Sequence, residues 1–225
     1  SNGFTTSSIS LMGGGIQGSE MSNTRLVTTF AGSAGNSGST NATGTSARFY
    51  EPYDITTDGT NLYVGDMKNH TIRKVVISNG VVTTLAGSAG NFGSTDGTGT
   101  SAKFNRGRTL TTDGTNLYVS DYYNHTIRKI VISTGVVTTL AGTAGSSGST
   151  DGTGAAARFN YPQGITTDGN NLYVVQDHLI RKIVISSGVV TTFAGSGSSG
   201  STDATGTSAR FDNPVGITSD GTNLY

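Results

Sequence analysis

The chain has 225 residues, 33% hydrophobic and only 12% charged, with 34 glycines and no cysteine. Its 14 basic residues balance 14 acidic ones, so no net field draws it to a polyanion such as nucleic acid or to an anionic membrane. The lack of cysteine excludes disulfides, thiolate zinc sites and cysteine nucleophiles, and no apolar run approaches the roughly 20 residues of a membrane-spanning helix.

Residues 1–24 (SNGFTTSSISLMGGGIQGSEMSNT) match no other part of the chain and read as a lead-in with a flexible glycine run, Gly13 to Gly15. Within it, Phe4 to Leu11 has the β-branched and apolar character of one strand. The start at Ser1, without Met, is compatible with a removed signal peptide.

A repeat begins partway through its own pattern at RLVTTFAG (25–32), which matches VVTTLAG at Val81 to Gly87 and Val136 to Gly142, and VVTTFAG at Val189 to Gly195. The successive spacings along Phe30, Leu85, Leu140 and Phe193 are 55, 55 and 53 residues. The two missing residues fall between NLYV and IRK, where NLYVGDMKNHTIRK and NLYVSDYYNHTIRK become NLYVVQDHLIRK.

Each full unit predicts four strands. The first lies around Ile55, Leu110 or Ile165, an Asp-Gly turn at Asp58, Asp113 or Asp168 leads to NLYV, and a second turn leads to the IRK strand. A third turn, such as Asn79-Gly80, then leads to VVTT. Such a unit cannot bury its own apolar faces, so the pattern predicts an all-β propeller of four-stranded antiparallel blades at about 53–87, 108–142 and 163–195, with a partial blade from 25–32 and 214–225. The linking loops, such as Ser88 to Asn105, are too rich in Gly, Ser and Thr for a helix. Each loop closes on an Ala-basic-Phe anchor, and Phe49, Phe104, Phe159 and Phe211 are expected to plug the space between blades.

Together, P-x-G-I-T at Pro162 to Thr166, NLYV, NHTIRK and VVTTLAG resemble the NHL-repeat family of β-propellers, particularly Gly/Ser/Thr-rich members on bacterial surfaces or secreted from bacteria. The likeness spans about residues 25–225. It implies a propeller whose role ranges, across the family, over protein binding, RNA binding and lyase chemistry. The chain departs from the pattern at Gly107, where the other units have Pro52, Pro162 and Pro214, and at Asp54 and Thr109, where the later ones have Gly164 and Gly216. The sequence ends two strands into a new unit. Phe4 to Leu11 and 25–32 would complete that unit into a four-bladed ring, whereas the six blades usual in the family imply a larger ring or self-association that completes the broken blade.

Candidate chemistry is sparse. His70, His125 and His178 recur once per unit, and three imidazoles can hold a zinc ion, but they sit in the turn between second and third strands, away from the axis. Their expected role is structural. Related lyase and lactonase-like propellers hold axial metals near the innermost strands, where this chain offers Tyr53, Asp54, Arg108, Thr109, Gln163 and Val215, a set with one carboxylate and no histidine. Asp96, Asp151 and Asp203, with Asn41 at the matching place, admit calcium but read more simply as Asx turns. In Arg73-Lys74 and its copies, alternation sends one side chain toward Asp66 or Asp121 and the other to solvent. No serine stands in a G-x-S-x-G elbow.

The remaining signal is where the repeat is broken, since residues that differ between units are not demanded by the blade. Glu51, Tyr53 and Asp54 in the first unit, Arg106, Arg108, Tyr122 and Tyr123 in the second, and Gln163 in the third are the candidate binding residues, on loops that open on one face. Tyr and Arg are common interface anchors. The expected function is a non-catalytic binding or scaffold propeller of the bacterial exterior, extracellular, surface-bound or periplasmic, with a protein or glycan ligand and no nucleic acid. The alternatives are a metal-dependent lyase or lactonase-like enzyme and, third, an RNA-binding propeller.

Overall fold

The structure, a computed structural model, describes residues 26–225. Three antiparallel sheets follow one another along the chain. The first is β1 (Pro52–Thr57), β2 (Asn61–Asp66), β3 (Thr71–Val76) and β4 (Val82–Ala86), paired in that order. The second contains β5 (Gly97–Thr98), β6 (Gly107–Thr112), β7 (Asn116–Asp121), β8 (Thr126–Val131) and β9 (Val136–Ala141), in the order β5-β9-β8-β7-β6. The third repeats that layout with β10 (Gly152–Thr153), β11 (Ile165–Thr167), β12 (Asn171–Gln176), β13 (Leu179–Val184) and β14 (Val189–Ala194). These are the three expected blades, and the fold is an all-β propeller.

Turn chemistry fixes the register. Asp113 Oδ1 accepts the N–H groups of Thr115 at 2.9 Å and Asn116 at 2.7 Å, while Tyr118 donates its hydroxyl to Oδ2 at 2.7 Å. The same arrangement holds at Asp58 and Asp168. Burial works against the Asp168 carboxylate, yet hydrogen bonds from Asn171, Asn170 and Tyr173 hold its pKa down to about 2. The turn thereby places Tyr63, Tyr118 and Tyr173 opposite Lys74, Lys129 and Lys182. At the far end of each unit the recurring glycine of LAG has a steric cause. Gly142 has φ +93°, and a Cβ there would lie 2.5 Å from the His125 carbonyl oxygen and 3.1 Å from Thr126 Cα.

Successive blades bury one another. Tyr63 and Ile72 of the first pack with Phe104, Leu110, Leu117 and Val119 of the second. Tyr118 and Ile127 of the second pack likewise with Phe159, Ile165, Leu172 and Val174 of the third. The anchors Phe104 and Phe159 are fully buried in these seams, as expected, whereas Phe49 and Phe211 are only partly buried. Ile55 is 55% exposed where its counterparts Leu110 and Ile165 are 3% and 6% exposed, because no blade among the described residues covers that flank. It borders an open apolar groove of about 390 Å3 that also takes in Phe30, Phe49, Val64 and Val75. Among the described residues the blades do not close into a ring.

The linking loops differ from expectation in two respects. They form single 3-10 turns, at Gly99–Ser101 and Gly154–Ala156 for example. They also supply β5 and β10, so the second and third blades have five strands rather than four. The extra strand lies against β9 or β14 of the blade that follows. It occupies an outer edge whose N–H and C=O groups would otherwise be unpaired. In the first blade the same place is held by a single bridge, Thr43 to Val81.

The loop aspartates are tied into this packing. Arg128 is fully buried and donates to Asp121 at 2.9 Å and to Asp96 at 2.7 Å, with Phe104 stacked 5.1 Å from its guanidinium. Arg181 meets Asp151 in the same way, and Arg73 meets Asn41 and Asp66. The Asp96 and Asp151 carboxylates thus face a buried guanidinium and do not act through an Asx turn. The expected pairing of Arg73 with Asp66 and of Arg128 with Asp121 is present.

At the ends, the proposed strand Phe4 to Leu11 and residue Arg25 lie outside the described residues. Residues 26–32 form no strand, and Leu26 and Val27 are 86% and 91% exposed. A fourth-type strand pairs with the third strand of its own blade, and the described residues hold no third strand before this one. Residues 214–225 form the Asp-Gly turn of a further unit, closed by one bridge from Ser219 to Leu224.

Candidate functional site

The innermost strands β1, β6 and β11 neighbour one another, and the loops that enter them meet the turns between second and third strands at one end of the blades. The departures from the repeat converge there. The Arg108 guanidinium lies 4.1 Å from the Tyr53 ring centre and 4.8 Å from that of Tyr122. It donates to the Tyr53 hydroxyl and, at 3.3 Å, to Gln163 Oε1. One arginine thus spans all three blades. Its Nε–H is buried without a partner, and no carboxylate lies within ion-pair distance of it among the described residues.

Arg106 stacks 4.9 Å from the Tyr123 ring centre. Tyr122 and Tyr123 meet edge to face at 5.0 Å, and Tyr161 lies 5.1 Å from Tyr122 and 5.8 Å from Tyr123. Tyr161 completes the aromatic cluster and escaped the sequence reading, although it stands where the other units have Glu51, Arg106 and Asn213, a difference that could have marked it. Glu51 joins the cluster only indirectly, through its ion pair with Lys68. Asp54 reaches across to the second blade and accepts the Leu110 N–H at 2.9 Å. Beneath them, Tyr53, Asp54, Thr109, Gly164 and Val215 line an axial cavity of about 220 Å3. Asp54 is the one carboxylate of that lining, and no group of three or more potential metal ligands lies together among the described residues.

The histidines serve as clasps between blades. His70 Nδ1 accepts the N–H of Arg106 at 3.1 Å, His125 that of Tyr161 at 3.1 Å, and His178 that of Asn213 at 3.2 Å. The donors Arg106, Tyr161 and Asn213 all have positive φ, between +44° and +60°. An accepting Nδ1 requires a neutral ring with its proton on Nε2. Burial, joined at His70 by the charge of Arg106, pushes the His70 and His125 pKa values below the ordinary 6.5. A depressed folded pKa leaves stability intact above the unfolded value and removes it as pH falls toward the folded one. Unfolding midpoints in urea are therefore expected to hold steady from pH 8 to about 7 and to fall as the pH drops below about 6.5. In the His70→Asn, His125→Asn double variant, where the amide oxygen keeps an acceptor, that slope should flatten. An unchanged slope would contradict the clasp.

Among the described residues no helix is long and apolar enough to cross a membrane. No protein-family model matches the chain. The chain is 33% identical to human NHL repeat-containing protein 2 over 168 residues, which cover 68% of this chain and 23% of that protein. It thus spans about a quarter of that relative's length. Among solved structures, an auxiliary nutrient binding protein from Bacteroides thetaiotaomicron superposes with a TM-score of 0.59 at 21% identity, covering 74% of this chain and 42% of that one. Its counterpart from Bacteroides ovatus gives 0.59 at 18% identity, covering 80% and 49%. These superpositions speak for the fold.

Proposed function

Because the chain belongs to the NHL-repeat family of β-propellers, we propose that it acts as a non-catalytic binding module and that its binding face is the end of the blades carrying Arg108. The observation that carries this reading is the Arg108 guanidinium held between Tyr53 and Tyr122. These three residues and Gln163, which accepts from Arg108, come from three blades, and none is required by the repeat. Stacked on rings and free of a carboxylate among the described residues, the cation keeps its affinity for an incoming anionic or carbonyl group. Aromatic and Arg clusters of this kind are typical energetic centres of interfaces. The ligand is a protein or a glycan, and the site of action is the bacterial exterior, a placement that rests on the neutral, hydroxyl-rich composition.

The test is a panel of glycans and peptides screened against immobilised protein, with hits measured in solution. Arg108→Ala combined with Tyr122→Ala should weaken the best ligand at least about tenfold, the loss expected on removing an interface anchor. A ligand bound equally by the double variant would remove this face from the function.

A further inference from the structure

The seam between the first two blades carries a second feature on the same face. Lys68, His70, Phe92, Asn105, Arg106 and Tyr123 line a shallow depression of about 470 Å3. Phe92 stands where the other linking loops have Ser37, Ser147 and Ser199, and its ring is 67% exposed. Nothing in the blade calls for an exposed phenylalanine there. Tyr123, 39% exposed, faces the depression with the Arg106 guanidinium stacked on it.

The charges do not cancel. Glu51 pairs with Lys68, and Arg106 has no carboxylate within ion-pair distance among the described residues. Asn105 gives its backbone N–H to Asp121, while its side-chain amide bonds no described residue; its counterpart Asn160 is bonded to Asp177. The depression therefore combines two exposed ring surfaces, one uncompensated guanidinium and one free amide. Such a set suits a ligand with a flat C–H face, a carboxylate and hydroxyl groups. An extended acidic peptide fits less well. Acidic peptide motifs are recognised by clusters of arginines, whereas this depression offers one uncompensated guanidinium beside two ring surfaces.

We infer that this seam binds a carboxylate-bearing pyranose ring of an acidic glycan, with Arg106 on the carboxylate, Phe92 and Tyr123 against the ring and Asn105 on a hydroxyl. This rests on the reading of this face as the binding face and narrows its ligand. The probe is a short oligogalacturonate, titrated by calorimetry or by ligand-observed NMR beside its methyl ester, a neutral gluco-oligosaccharide of equal length and a short poly-glutamate. The oligogalacturonate should bind, and the ester and the neutral sugar should bind at least about tenfold more weakly, since each lacks the charge-assisted bond to Arg106.

Phe92→Ser installs the residue of the other three loops, and Arg106→Asn installs that of Asn213, which holds the same positive-φ place. Both variants should fold and should lose binding by about tenfold or more. Absence of oligogalacturonate binding at millimolar concentration, binding unchanged in both variants, or equal binding of poly-glutamate would each overturn the inference. If oligogalacturonate fails while another ligand of the panel is lost in the Arg108→Ala, Tyr122→Ala variant, this inference alone falls and the binding face stands.

Discussion

Asp121→Asn is expected to lower the unfolding free energy by about 3 kcal/mol, at the lower end of the cost of breaking a buried ion pair. Asp121 and Arg128 are both fully buried and meet at 2.9 Å. The carboxylate also accepts the Asn105 N–H at 2.8 Å and the Asn124 side-chain amide at 2.7 Å. Burial pushes the Asp121 pKa up, and Arg128 with these donors pulls against it. An asparagine of the same shape turns one acceptor into a donor aimed at donors, and it leaves the guanidinium with Asp96 as its one carboxylate.

The loss stays near the lower figure for a reason visible in the third blade. There Gln176 occupies the aspartate position, and Arg181 keeps Asp151 at 2.8 Å beside the Gln176 oxygen at 3.3 Å. A neutral partner is thus tolerated where the turn has lost two residues. Asp96→Asn is the control. Its side chain is 48% exposed, so its bond to Arg128 is discounted for solvent and should cost about 1 kcal/mol or less. Urea unfolding of the two variants measures the difference, and equal losses would show that Arg128 is held from the loop rather than from β7.

The repeat made the blades readable because turn residues and strand alternation recur together, and each of the Asp58, Asp113 and Asp168 turns could be placed from its Asp-Gly pair. The outer strands β5 and β10 were not readable. Two residues of Gly and Thr carry no alternation, and their pairing with Val136 and Val189 is set by contacts some 40 residues away along the chain. The loop aspartates were misread for the same reason. An Asx turn is a local prediction, whereas the partner of Asp96 is Arg128, 32 residues on.

At the candidate site, the exceptions to the repeat located Tyr53, Arg106, Arg108, Tyr122, Tyr123 and Gln163, and the structure brings these six into one neighbourhood. Tyr161 and Phe92 are exceptions of the same kind that went unread. Each sits in a stretch that otherwise looks regular, and only the seam between blades shows which residues they face.

Phe104→Ala should cost about 3–5 kcal/mol, the range for deleting a buried aromatic ring from a core that cannot collapse around the gap. Phe104 belongs to the loop before the second blade, is fully buried, and touches both sides of the seam with Ile72 and Leu110. It also forms the apolar wall of the Arg128 guanidinium, so its removal would open the buried ion pair to water as well as leave a cavity. The seam has little freedom to close, because the backbone on either side is held by strand pairing. The Gly99 N–H bond to Gly135 O at 2.9 Å likewise ties the loop to the outer hairpin. Phe49 stacks on Arg73 in the same way, at 5.1 Å, but faces the uncovered flank of the first blade and is only partly buried. Phe49→Ala should therefore cost less than half as much, with Phe159→Ala matching Phe104→Ala. Chemical denaturation of the three variants tests the ordering. A loss at Phe49 equal to that at Phe104 would mean that the first blade's flank is covered in solution.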